Sequence, residues 1–185
     1  MILCENVNKS FDGRAVLKDF SLHLKKGERV CLMGASGSGK TTVINLLLGL
    51  ILPDSGKIVC GESSAVFQEN RLCEDFSAVT NVKIVTKDKD KKRAESLLSD
   101  LLLSDDMYKK VRDFSGGMKR RTAIARALAY DKDIILLDEP FKGLDTETRA
   151  VVAEVINRET AGKTLLFVSH DKKEAELLGA RIVEI

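Results

Sequence analysis

The sequence has no tryptophan, only two histidines in 185 residues, and no long apolar run. Two histidines exclude a His-rich metal centre. A helix crossing a bilayer needs about 18 or more apolar residues. The strongest candidate stretch, 43–52, is broken by Asn45 and Gly49. The start, Met1-Ile2-Leu3-Cys4-Glu5-Asn6, lacks the basic residues and long apolar run of a signal peptide. Cys4, Cys31, Cys60 and Cys73 form no CxxC pair and have no histidine at metal-ligand spacing. They read as reduced thiols of a cytosolic chain, with Cys31 in the core. Charge of one sign is not in excess either. The 30 basic and 28 acidic residues leave a net charge of +2, so there is no overall bias toward nucleic acid or an anionic membrane.

What is present is a globular balance of 44% hydrophobic and 31% charged residues, which excludes disorder and collagen-like repeats. A chain of this length forms one domain, expected over 1–185, and can bury roughly 70% of its unfolded surface. Residues 1–33 alternate as short strands, with turns at Asp12-Gly13 and Lys26-Gly27. A helix is expected from the end of a glycine-rich loop to about Gly49, then short strands at 57–60 and 65–68. Residues 70–113 turn polar. They carry Leu97, Leu98, Leu101 and Leu102 at helical spacing and a basic run from Lys83 to Arg93, read as a solvated face. Strand and helix then alternate to Ile185, which predicts an α/β fold with a parallel sheet.

Three motifs carry chemistry. Gly34-Ala35-Ser36-Gly37-Ser38-Gly39-Lys40-Thr41 fits GxxxxGK[ST] between an apolar strand and a helix. Its glycines let the backbone N–H groups turn inward around phosphate oxygens, and the helix N-terminus adds partial positive charge. Lys40 supplies a cation for the outer phosphates, and the Thr41 hydroxyl can ligate Mg²⁺. Ile134-Ile135-Leu136-Leu137-Asp138-Glu139 reads as a buried parallel strand that delivers two carboxylates to its C-terminal edge. There Asp138 would hold Mg²⁺ and Glu139 would polarise an attacking water. Phe114-Ser115-Gly116-Gly117-Met118 opens a helix with Ser115 as N-cap. Two consecutive glycines exceed what a cap needs and suit the close approach of a phosphate.

Over essentially its whole length the sequence resembles the ATP-binding subunit of ABC transporters. Ser115-Gly116-Gly117, with Lys119-Arg120-Arg121 and the following Ala/Arg-rich helix, is similar to that family's signature. Gln68 matches its Q-loop, Gly143-Leu144-Asp145 its D-loop and His170 its switch histidine. Phe11 lies where the family has an aromatic that stacks on adenine. Taken alone, Phe11 reads as core, Gln68 as a surface amide and His170 as a strand-end residue; the resemblance lifts them together. It implies a P-loop NTPase core with a mainly parallel sheet, a small, shortened antiparallel β-lobe and an inserted helical lobe at about 70–130. It implies ATP and Mg²⁺ as cofactors. Nucleotide would be held by Phe11, residues 34–42 including Thr42, Gln68, Asp138, His170 and Asp145, together with Ser115, Gly116 and Gly117. Thr41, Gln68 and Asp138 would organise the metal. Lys40, Gln68, Glu139 and His170 would be catalytic, in phosphoryl transfer to water. The implied partners are a second copy in a head-to-tail pair, membrane-spanning permease subunits and a solute-binding protein, with no nucleic acid. The implied place is the cytoplasmic face of a membrane.

The chain departs from the pattern in places. Met118 stands where glutamine is usual, Phe114 replaces a leucine, and Lys142-Gly143 replaces a small pair. Only 28 positions separate Lys40 from Gln68, so the β-lobe is expected to be trimmed. That compact lobe and Phe67-Gln68-Glu69-Asn70 lean toward importers of small anions. A non-transport ABC ATPase acting on DNA or ribosomes is the alternative. Chromosome and repair types need a long coiled coil, absent between Lys40 and Ser115, and ribosome-acting types need two such domains in one chain. A small-molecule P-loop kinase would need neither the signature nor His170.

Overall fold

The computed structural model describes all 185 residues, Met1–Ile185. In chain order the elements begin with β1 (Ile2–Phe11), β2 (Arg14–Leu24), β3 (Arg29–Met33) and α1 (Lys40–Leu47). Then come β4 (Ser55–Cys60), β5 (Ser63–Val66), α2 (Ala78–Lys83), α3 (Lys91–Asp100) and α4 (Gly116–Ala129). The chain closes with β6 (Ile134–Asp138), α5 (Thr146–Glu159), β7 (Thr164–Val168), α6 (Lys172–Leu177) and β8 (Arg181–Glu184). The central sheet has the order β5-β6-β7-β3-β8 with every pair parallel. A second sheet, β2-β1-β4, is antiparallel.

The continuous apolar runs follow from this layering. Side chains alternate across a strand, so a parallel sheet covered on both faces must be apolar at every position. Val30, Leu32, Ile134, Leu136, Leu166 and Val168 face α1 and the antiparallel lobe. Cys31, Met33, Ile135, Leu137, Leu165 and Phe167 face the opposite core, shared with α2 to α5. The four cysteines are free, and Cys31 is fully buried, which pushes its thiol up to about 12.

The helical lobe lies where the sequence places it. Leu97, Leu98 and Leu101 are buried in the core. Leu102 is not: α3 ends at Asp100, and Leu102 turns out with φ +59. The Arg121 guanidinium donates to the freed carbonyls of Leu101 (2.8 Å) and Leu102 (2.7 Å), so a helix end needs no further turn. The basic run is mostly exposed, as expected, although Arg93 pairs with Glu159 on α5. Gln68 falls just beyond β5 rather than inside a strand.

Candidate active site

The glycine-rich loop joins β3 to α1. Gly39 is the N-cap of α1 at φ +101, and a Cβ there would lie 2.7 Å from Leu17 and 3.1 Å from Val16. Only glycine combines that dihedral with that contact. A glycine cap offers no side chain, so the first-turn N–H groups of α1 stay free for an anion. Lys40 is 6% exposed; its side chain folds beneath the loop instead of standing free of it. Its Nζ donates to the carbonyls of Gly34 (2.9 Å) and Ala35 (2.7 Å), which leaves one proton for an outside acceptor. Ser38 Oγ is buried without any hydrogen-bond partner. Ser38 belongs to a different cavity, with Leu17 and Ile185; the free first-turn amides and the spare Lys40 proton are what fit a phosphate chain.

Asp138 closes β6 at 2% exposure. Burial raises its pKa, as does neighbouring Glu139, against a hydrogen bond from Thr41 and the charges of Arg120 and Lys142. A carboxylate so short of solvation fits a cation. No group of three or more His, Cys, Asp or Glu side chains could hold one alone. Mg²⁺ suits such a place, since it binds through one or two carboxylates together with substrate phosphates.

Glu139 sits past the strand end at φ +50. Three hydrogen bonds hold its backbone in that left-handed conformation. Its N–H donates to Val168 O (3.1 Å), while its carbonyl accepts from Lys142 N–H (3.1 Å) and from Arg120 Nη2 (3.0 Å). Both side-chain oxygens are also engaged: His170 Nε2 lies 3.1 Å from Oε1 and Lys142 Nζ lies 2.9 Å from Oε2. Burial opposes the charge on Glu139, but Lys142 and then His170 outweigh it and hold the carboxyl below its usual range.

Phe11, Ser36, Gly37, Gly39, Lys40, Thr41, Thr42, Gln68, Glu139 and His170 border one cavity of about 370 Å³. Phe11 is 44% exposed at its rim. Ser115, Gly116, Gly117 and Asp145 border a different cavity, of about 550 Å³, and Gln68 lines both. Ser115 Oγ accepts from Met118 N–H (3.2 Å), as a cap should, leaving the N–H groups of Gly116 and Gly117 open. Asp145 caps α5 by accepting from Thr148 N–H (2.8 Å), which lowers its pKa. The loop and the Ser-Gly-Gly helix start therefore open their free N–H groups onto two separate cavities.

Two positions that sequence reasoning did not assign prove central. Arg120, 3% exposed on α4, donates to Phe67 O (2.6 Å) and Asn70 Oδ1 (3.1 Å) on either side of Gln68. It also donates to Asp138 O (2.9 Å) and Glu139 O. The sequence clue was a run of three basic residues, one of which had to face inward on a helix. Lys142, noted only as a departure, reaches Glu139. Met118 is partly buried against the chain's own large core.

The fold and the two faces define a P-loop ATPase. A sequence-family profile described as ABC transporter matches residues 17–142. The chain belongs to that family, as an ATP-binding subunit of an ABC transporter. The taurine import ATP-binding protein TauB of Roseobacter denitrificans is 38% identical over 185 residues, covering 90% of this chain and 69% of the relative. The ergothioneine transport ATP-binding protein EgtV of Helicobacter pylori is 29% identical, covering 100% of this chain and 97% of the relative. A dimeric structure of the ATP-binding cassette MJ0796, in a post-hydrolysis state with ADP and Pi, superposes with a TM-score of 0.91. It is 30% identical and covers 100% of this chain and 94% of that one. No helix of this chain is long and apolar enough to cross a membrane.

Proposed function

We propose that residues 1–185 act as one ATP-hydrolysing domain whose turnover drives a solute across a membrane through separate membrane-spanning subunits. One observation carries the reading. Glu139 faces the cavity of Lys40, Thr41, Gln68 and His170, while Ser115–Gly117 opens onto another. A chain with half of two sites needs a second copy, head to tail, to complete each. The dimeric cassette with ADP and Pi supports this assembly, and the taurine-import relative supports import of a small charged solute.

The roles follow from position. Loop amides, Lys40 and Thr42 would hold the phosphates, with Phe11 against the base. Thr41, Gln68 and Asp138 would hold Mg²⁺, which neutralises phosphate charge when bound. Glu139 takes a proton from water as the water oxygen bonds to the terminal phosphorus and the bridging P–O bond breaks. His170 orients Glu139 through Oε1 and faces the terminal phosphate. Ser115, Gly116, Gly117 and Asp145 close the site of the other copy.

The test is phosphate release from ATP with Mg²⁺ or with EDTA, together with pull-down from membranes. Mg²⁺-dependent release and capture of a polytopic membrane protein are expected. Mg²⁺-independent release, or salt-sensitive capture of DNA or ribosomes instead, contradicts the reading.

A further inference from the structure

Lys142 belongs to neither phosphate face by motif; it lines the Ser115–Gly117 cavity and touches the loop cavity only through Glu139. Its side chain is 59% exposed, and its Nζ lies 2.9 Å from Glu139 Oε2. It lines the cavity of Ser115, Gly116 and Gly117. It also lines a smaller cleft of about 170 Å³ with Glu139 and His170. The Glu139 backbone is pinned by Val168, Arg120 and the Lys142 N–H, so only its side chain is free to swing. His170 already occupies Oε1. The oxygen left to hold an attacking water is the one that Lys142 covers.

We infer that Lys142 is a latch on Glu139: its ammonium occupies Oε2 until an anion on the Ser115–Gly117 face draws it away. The inference rests on the assignment of Glu139 as general base. A lysine is a compact charge on a flexible four-carbon stem, and a phosphate chain carries more charge than one carboxylate. The second copy's nucleotide, docking on that face, therefore competes for the same ammonium. Occupancy of one site thereby readies the base of the other. Lys142 is a positioning residue, acting through Glu139 rather than on the phosphate being transferred from its own loop.

The experiment compares the full chain with Lys142→Met, Lys142→Arg and Glu139→Gln by steady-state ATP hydrolysis. Lys142→Met keeps the stem and removes the charge. A partly exposed ion pair of this kind sets the scale, so turnover at ATP well below KM should rise roughly two- to fivefold, while kcat, reached when both faces are occupied and the latch is already drawn off, changes little. Lys142→Arg, which restores a cation, should reverse the gain. A residue that served only the fold would lose turnover instead. If Glu139→Gln is inactive while Lys142→Met is no faster than wild type at ATP well below KM, the base stands and the latch is overturned. If Lys142→Arg is as fast as Lys142→Met, charge is not the cause and the latch is overturned. If Glu139→Gln turns over normally, the base assignment fails and takes the latch with it.

Discussion

The Arg120 guanidinium reaches from α4 to the end of β6, where its Nη2 lies 2.9 Å from the carbonyl oxygen of Asp138. The same guanidinium holds Phe67 O and Asn70 Oδ1, and Arg126 adds bonds to Arg71 O (2.8 Å) and Asn70 O (3.1 Å). The helix that begins at Ser115 is thus tied both to the segment carrying Gln68 and to the strand carrying the two carboxylates. Burial pulls the Arg120 pKa below its usual value, with Asp138 and Glu139 acting against that shift. Arg120→Ala takes the side-chain donor from the carbonyls of Phe67 and Asp138, at about 1–3 kcal/mol for each such group, while Glu139 O keeps the Lys142 N–H. The expected loss is about 2–4 kcal/mol in urea unfolding, accompanied by a fall in ATP turnover. Unchanged unfolding with full turnover would show that the tie carries nothing.

Lys40→Ala removes the donor shared by Gly34 O and Ala35 O as well as the cation aimed at phosphate. A charge-assisted hydrogen bond is worth about 1.5–3 kcal/mol, so nucleotide affinity should fall roughly 10- to 100-fold. The circular dichroism spectrum should be unchanged, because β3 and α1 are held by apolar contacts. Fluorescent-nucleotide titration checks the first point. Wild-type affinity in a folded Lys40→Ala protein contradicts the loop assignment.

At the second face the three substitutions separate by mechanism. A Cβ at Gly117 would make ordinary contact with Gly143 O and Leu144 Cδ2, both at 3.4 Å, so Gly117→Asp acts through the negative charge it sets against phosphate. It should abolish turnover while leaving nucleotide binding to the monomer intact. Ser115→Ala removes a cap worth about 1 kcal/mol and should slow turnover less. Met118→Gln gives up contact with the chain's own core and should lower stability without improving turnover. Faster turnover by Met118→Gln would instead show that the amide is missed. Turnover and thermal unfolding, measured in parallel, distinguish these.

Glu174 is 8% exposed, and burial raises its pKa against a hydrogen bond from Ser169 and the charge of Arg149. A carboxyl whose folded pKa lies above its unfolded value contributes stability that is complete below the unfolded pKa. That contribution is lost as pH rises through the folded pKa. Glu174→Gln keeps an acceptor for Ser169 and removes the buried charge. Its stability relative to wild type should therefore improve from pH 5 to pH 8 in urea unfolding. A relative gain that shrinks over that interval contradicts the burial argument.

Much of this was legible beforehand because it rests on short-range chemistry. A glycine loop between strand and helix, an apolar run ending in Asp138-Glu139 and a serine cap before two glycines each have a local cause. The paired layers were also legible, since Ile134–Leu137 is apolar at every position. What was hidden depends on distance in the sequence. The basic run Lys119-Arg120-Arg121 does not say which of the three is buried, because the partners of Arg120 are carbonyls at residues 67, 138 and 139. The clamp on Glu139 needed a left-handed turn to bring Lys142 back over it, and no glycine announces that turn. Leu102 kept helical spacing but lost its helix once Arg121 satisfied the carbonyls of Leu101 and of Leu102 itself.

The central claim is that each site is completed by a second copy. It is tested most directly by mixing two inactive proteins. Lys40→Ala lacks a working phosphate loop but keeps Ser115–Gly117 intact; Gly117→Asp has the reverse. A mixed pair contains one site assembled from the sound half of each. Turnover by the mixture, where neither protein alone turns over, is the predicted result. A mixture as inactive as its components, with mixed pairs shown to form, would contradict the shared site.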